Sequence, residues 1–127
     1  MDNSYPHDQI LSGLEAAAKA AGALALDAFK SRSFSVRTKD DRTIVTDIDV
    51  KAQRLIQDLL NAKFPDIECM GEEGERPKLS GSGPLFVVDP IDGTANFAAG
   101  NPTFGIVVAY LEGGEVRAGW IHMPVEW

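Results

Sequence analysis

Leu85-Phe86-Val87-Val88-Asp89-Pro90-Ile91-Asp92-Gly93-Thr94 joins four consecutive apolar residues to two acids, a proline and a glycine. The apolar run, bounded by turn formers, predicts a strand buried on both faces and ending at Val88. Residues 89–94 then predict a turn, because Pro90 fixes φ and lacks a backbone donor while Gly93 lets the chain bend. Gly93 and Thr94 would present N–H groups and a hydroxyl at the start of a short helical turn, a natural seat for an anion such as phosphate. A plain type I turn would accommodate Pro90 but gives no reason for an acid at the end of a buried strand.

The same arrangement recurs upstream. Residues 67–70 predict a small strand, and Glu72 and Glu73 follow it at the start of a Gly-, Glu-, Pro- and Ser-rich loop over 71–84. If the two strands are neighbours, Glu72, Glu73, Asp89 and Asp92 crowd into one small volume. Like charges so close repel and raise one another's pKa unless cations lie between them. Oxygen ligands with no His or Cys beside them favour Mg²⁺, Mn²⁺ or Ca²⁺ over zinc or copper. Metal carboxylates beside an anion seat point to phosphoryl chemistry.

Around this centre the chain predicts an α+β layer arrangement. Residues 6–31 form a helix whose stripe is Ile10, Leu14, Ala17, Ala21, Leu24 and Ala28, with alanines that favour helix and allow close packing. Phe34 and Val36 suggest a short strand, and residues 39–42 a polar turn. A second helix covers 47–63 with Leu55, Ile56, Leu59, Leu60 and Phe64 on its apolar side, stopped by Pro65 and capped by Thr46 with Asp49 three residues on. Residues 104–111 and 116–123 read as a hairpin about a tight turn at 112–115. Asp47 and Asp49 also suit a helix N-terminus as plain dipole partners.

The remaining residues narrow the function classes. With 127 residues, 44% hydrophobic, the chain is long enough to bury a core of its own. Asp and Glu number 19 against 12 Lys and Arg, a net charge of -7, so the basic face of a nucleic-acid binder is absent. No apolar run approaches membrane-spanning length and the N-terminus lacks a secretion signal, so a cytoplasmic domain is expected. The single cysteine, Cys69, cannot pair internally and reads as a small buried side chain rather than a nucleophile. His7 and His122 have no evident Ser or Cys partner, and Trp120 and Phe104 read as core. Lys39 suits a solvated turn, and Glu75 solvent.

Asp89-Pro90-Ile91-Asp92-Gly93-Thr94-Ala95-Asn96-Phe97, preceded by Gly71-Glu72-Glu73 and by Val45-Thr46-Asp47-Ile48-Asp49, resembles the inositol monophosphatase family of lithium-sensitive, Mg²⁺-dependent phosphatases. The three motifs stand in the family's order, and the resemblance covers nearly the whole chain from the first helix onward. It implies a sugar-phosphatase-like fold, two N-terminal helices packed on a largely antiparallel sheet, lacking its C-terminal α/β half. It implies two or more Mg²⁺ ions, with Mn²⁺ or Ca²⁺ able to substitute in binding. Glu72, Asp89 and the Ile91 carbonyl would hold the first ion, and Asp92 with a bridging Asp89 the second. Thr94 and Asp49 would orient or deprotonate the attacking water, Glu73 would stand behind the direct ligands, and the Gly93 and Thr94 amides would bind phosphate. Lys39, where the family has a basic residue, would reach the metal pocket as an equal alternative to the solvated turn.

The implied reaction is in-line attack of water on the phosphorus of a small ester such as inositol phosphate, a sugar phosphate, histidinol phosphate, fructose bisphosphate or a nucleotide 3′-phosphate. A homodimer is compatible with the resemblance. The family is longer, and a further metal aspartate follows a tryptophan in its second half; neither Trp120 nor Trp127 precedes an aspartate. The chain therefore reads as the first part of a larger protein, with its second metal site incomplete. The missing half would then be required for activity, or this part would be an inactive binding half or dimerisation module. Sheet edges left open would favour self-association.

Overall fold

The computed structural model describes residues 5–73 and 83–126, so Glu75 and most of the 71–84 loop lie outside the described residues, as does Trp127. Helix α1 (His7–Ser31) starts on the Pro6 carbonyl, which accepts from the Gln9 and Ile10 amides. It ends where Arg32 turns left-handed (φ 56°) and the Arg32 and Ser33 amides both donate to Ala28. Its buried stripe runs from Ile10 and Leu14 through Ala17, Ala18, Ala21 and Ala25 to Ala28, and these small side chains let α1 lie against α2, β5 and β6.

A two-stranded hairpin follows, β1 (Val36–Thr38) against β2 (Ile44–Thr46). The short strand expected around Phe34 is thus displaced. Phe34 precedes it, its ring 4.9 Å from that of Phe97, with the Arg32 guanidinium above it at 5.2 Å. Strand β2 has no counterpart in the sequence reading. It is three residues long and its last, Thr46, is also the cap of α2 (Asp47–Lys63). The Thr46 hydroxyl oxygen accepts from the Ile48 and Asp49 amides, and Asp49 Oδ2 accepts from the Thr46 amide at 2.8 Å, a reciprocal capping box. The buried face of α2 is Ile48, Asp49, Ala52, Gln53, Ile56 and Leu60, whereas Leu59 is exposed. Of the expected apolar side, Ile56, Leu60 and Phe64 are buried as read, while Leu55 is half-buried and Leu59 falls outside the face, which steps of four from Ile48 set.

The main sheet has the order β3-β4-β5-β6, with β3 (Glu68–Gly71), β4 (Leu85–Asp92), β5 (Gly105–Glu112) and β6 (Glu115–His122). The β3–β4 pair is parallel and the other two antiparallel, so the sheet is largely antiparallel. Gly113 and Gly114, both at positive φ, close the β5–β6 hairpin in two residues. Phe86, Val88, Ile106, Val108 and Tyr110 form one core with the buried faces of α1 and α2. Phe64, Phe86 and Tyr110 continue that core as a run of tilted rings with centroids 5.5 Å apart.

Strand β4 departs from expectation twice. Leu85 and Val87 are only half-buried, because both long helices cover the opposite face. The strand also runs on through Asp89 to Asp92. Asp89 pairs with Val107 and Asp92 with Gly105, three steps on β4 against two on β5, so one extra residue bulges out around buried Pro90. A bulge is where a strand tolerates proline, since no ladder donor is needed there. Helix α3 (Thr94–Ala99) follows directly, entered through Gly93 at φ 92°. No helix among the described residues is long and apolar enough to cross a membrane.

Candidate active site

The parallel register brings the two acidic strand ends together. Gly71 pairs with Val88, so Glu72 and Asp89 follow side by side at the same end of the sheet. The bulge turns Asp92 to the same side, where a cleft of about 700 Å³ is lined by Glu72, Glu73, Asp89, Ile91, Asp92, Gly93 and Thr94, with Lys39 and Arg42 from the β1–β2 hairpin opposite. Every residue singled out for metal or phosphate thus borders one cleft, and Asp49 reaches it through Thr94.

Asp89 carries the electrostatic signature of the site. Burial first, then the charge of Glu72 and a hydrogen bond with it, then Asp92, push its carboxyl up to about 7. Its Oδ1 is buried without a hydrogen-bond partner, the one such side-chain atom found among the described residues. A carboxylate oxygen held dry beside two more carboxylates suits a cation, and hard oxygen donors favour Mg²⁺, Mn²⁺ or Ca²⁺. The residues present therefore fit a divalent ion. Among the described residues no group of three His, Cys, Asp or Glu has its ligating atoms at metal-binding separations.

Asp49 is buried to 1% exposure and uses both oxygens. Oδ2 serves the cap of α2 and accepts from the Thr46 hydroxyl at 2.7 Å. Oδ1 accepts from the Thr94 hydroxyl at 2.9 Å. Thr94 Oγ1 also lies 3.1 Å from the Ile91 carbonyl, but it has one proton and the shorter contact is to the carboxylate. The expected hydroxyl–carboxylate pair is thus formed, and Asp49 is at once cap and cleft residue. Asp47 stays outside: it accepts from the Ser35 amide at 2.8 Å, which lowers its pKa, and faces Lys51 at 3.7 Å.

Consecutive Glu72 and Glu73 part company. Glu72 is exposed beside Asp89, while Glu73 is buried with its carboxylate 3.0 Å from Lys39 Nζ. Lys39 therefore borders the pocket while a third of its side chain stays exposed. The Glu73 backbone is held by Gln53, which donates to its carbonyl at 2.6 Å and accepts from its amide at 2.8 Å. Gln53 escaped the sequence reading; its one signal was an amide on the α2 face otherwise built from Ala52, Ile56 and Leu60. Cys69 is half-buried with its thiol pushed up to about 11 by burial, which keeps it protonated and not nucleophilic. His122 packs on Gly22, where a Cβ would overlap its ring, and His7 is exposed, so neither borders the cleft.

Known proteins align with most of this chain. The inositol monophosphatase family matches residues 7–126. A histidinol-phosphatase of Chlorobaculum parvum is 45% identical over 108 residues, 84% of this chain and 41% of that protein. A fructose-1,6-bisphosphatase/inositol-1-monophosphatase of Thermotoga maritima is 48% identical over 83 residues, 65% of this chain and 31% of that one. Among solved structures, the extragenic suppressor protein suhB of Bartonella henselae superposes with a TM-score of 0.86 at 30% identity, covering 92% of this chain and 46% of its own. Each match takes in less than half of the relative's length.

Proposed function

The chain belongs to the inositol monophosphatase family, and on that premise we propose that it forms the metal- and phosphate-binding portion of a Mg²⁺-dependent phosphomonoesterase acting on inositol phosphate or a related small ester. The observation that carries this reading is the unpartnered, buried Asp89 Oδ1 between Glu72 and Asp92. Glu72, Asp89 and the Ile91 carbonyl would hold one ion, and Asp89 with Asp92 a second. Bound there, a divalent ion supplies Lewis acidity to phosphoryl oxygens and makes water a stronger nucleophile.

The chain's own residues do the rest. Thr94 commits its proton to Asp49, which leaves its oxygen lone pairs free to accept a hydrogen bond from the attacking water and so to orient that water for in-line attack. The backbone amides of Gly93 and Thr94, at the left-handed turn into α3, would receive the phosphate oxygens. Glu73, paired with Lys39, would act behind the ligands. Its burial and its lysine partner favour a supporting role over direct coordination.

The curated relatives above are named phosphatases for different esters, histidinol phosphate and fructose bisphosphate or inositol phosphate, which supports a small phosphomonoester as the substrate class. The span of less than half of each relative favours one second reading, a portion that binds metal and phosphate without turnover. The test is phosphate release from inositol 1-phosphate, histidinol phosphate and fructose 1,6-bisphosphate by the 127-residue chain, in Mg²⁺ and in chelator. Mg²⁺-dependent release from any of them supports the enzyme. Saturable Mn²⁺ binding without release supports the binding portion, and neither result leaves a plain structural domain.

A further inference from the structure

Gln53 is 7% exposed on the buried face of α2, one turn after Asp49. A primary amide there carries a desolvation penalty unless both its donor and acceptor are used. Both are, on a single residue: the carbonyl and amide of Glu73. Gly71, the last residue of β3, is shaped by the same contact. Its φ needs no glycine, but a Cβ there would overlap the Gln53 carboxamide. The strand therefore ends on the only residue that lets a side chain of α2 reach past it.

The consequence falls on Glu72. Before it, Gly71 is fixed in register with Val88. After it, the Glu73 backbone is tied to α2 and its carboxylate to Lys39. With the backbone pinned on both sides, Glu72 keeps its Cα next to Asp89 and only side-chain rotation is left to its carboxylate. We propose that Gln53 is a positioning residue for divalent-ion binding: by clamping the Glu73 backbone, it keeps the Glu72 carboxylate within reach of Asp89. This role rests on the metal reading above and deepens it.

Gln53→Met keeps the length of the side chain and removes both bonds. Gln53→Glu keeps the acceptor for the Glu73 amide and loses the donor. Gly71→Ala leaves Gln53 in place but displaces its carboxamide. Each is followed by Mn²⁺ titration with electron paramagnetic resonance detection, by near-ultraviolet circular dichroism for fold, and by hydrogen exchange at the Glu73 amide. Outer-sphere partners of metal ligands typically set affinity by roughly 10–100-fold, and Gln53→Met and Gly71→Ala are expected to weaken Mn²⁺ by that much. Gln53→Glu falls between them and the wild type, the Glu73 amide exchanges faster in all three, and in a Glu72→Gln background Gln53→Met has no further effect on Mn²⁺.

A purely structural role would lower the melting temperature and leave the affinity of the folded protein alone. A folded Gln53→Met or Gln53→Glu with unchanged Mn²⁺ affinity overturns the proposal, as does loss of fold in all three variants, which would assign Gln53 to the core. Failure of the wild-type chain to bind Mn²⁺ is a different outcome: it removes the metal reading itself, and this role with it.

Discussion

The Thr94 hydroxyl donates to Oδ1 of Asp49 at 2.9 Å, while the other oxygen of the same carboxylate closes the N-terminal cap of α2. One buried acid thus connects helix stability to the cleft, and the two roles separate by substitution. Thr94→Val removes the hydroxyl at nearly constant volume. Loss of a group that positions or deprotonates the nucleophile lowers turnover by roughly 10²–10⁴-fold. Mn²⁺ affinity should stay near wild type, since Thr94 is no ligand. Thr46→Ala attacks the cap instead and should cost about 0.5–2 kcal/mol of stability with turnover of the folded protein preserved. Urea unfolding and phosphate release measured on both variants check the division; a Thr94→Val chain with full turnover would sink the catalytic half of it.

Asp89 makes stability depend on pH in an unusual direction. Its folded pKa, about 7, stands above its ordinary 3.8, so the folded chain binds this proton more tightly than the unfolded one does. The contribution is fully present below 3.8 and is lost as pH rises through 7. Asp41 and Asp47, whose pKa values are lowered by hydrogen bonds from Thr43 and Ser35, act the opposite way and lose stability as pH falls. The comparison of wild type with Asp89→Asn in chelator isolates the first effect. Between pH 4 and 8 the variant's melting temperature should gain on the wild type's, and excess Mg²⁺ should close the gap by stabilising the wild type alone. Parallel melting curves for the two proteins across that range would contradict the assignment.

Strand β6 forms one edge of the sheet, with Ile121 at 61% and Val116 at 68% exposure. Edges of this kind recruit further strands unless a charge blocks them. Ile121→Lys should therefore reduce self-association, read as a lower weight-average mass in sedimentation at high protein concentration. A wild-type chain that is already monodisperse there, or a variant that associates equally, removes the argument.

The acids of the cleft were legible because chemistry and topology coincide within a few residues. Glu72 and Asp89 each follow an apolar strand segment, and pairing those segments suffices to bring them together. Asp49 was legible through its cap, a pattern contained in four residues. What escaped depends on contacts across the chain. Gln53 meets Glu73 twenty residues away, side chain to backbone, and no local pattern records such a bond. The continuation of β4 past Val88 turns on a bulge whose only local mark is Pro90, equally at home in a turn. Leu59 looks apolar enough for a core face, yet helix phase is set by the partner surface and not by composition.

Lys39 and Glu73 supply the last test, since the pair joins the β1–β2 hairpin to the end of β3. The lysine is a third exposed and the glutamate nearly buried, with 3.0 Å between Nζ and Oε1. Surface pairs contribute little, but removal of one partner from a buried acid leaves its charge uncompensated. Lys39→Met should accordingly destabilise the fold by about 1–3 kcal/mol, less than for a fully dry pair because solvent reaches the lysine. Glu73→Gln removes the charge and keeps a polar head, so it should be milder. The double variant should recover much of the Lys39→Met loss, because the orphaned charge is then gone, and the coupling is read from a double-mutant cycle of urea midpoints. Strict additivity would mean that the two side chains meet without depending on each other, and that Glu73 is neutralised from elsewhere in the cleft.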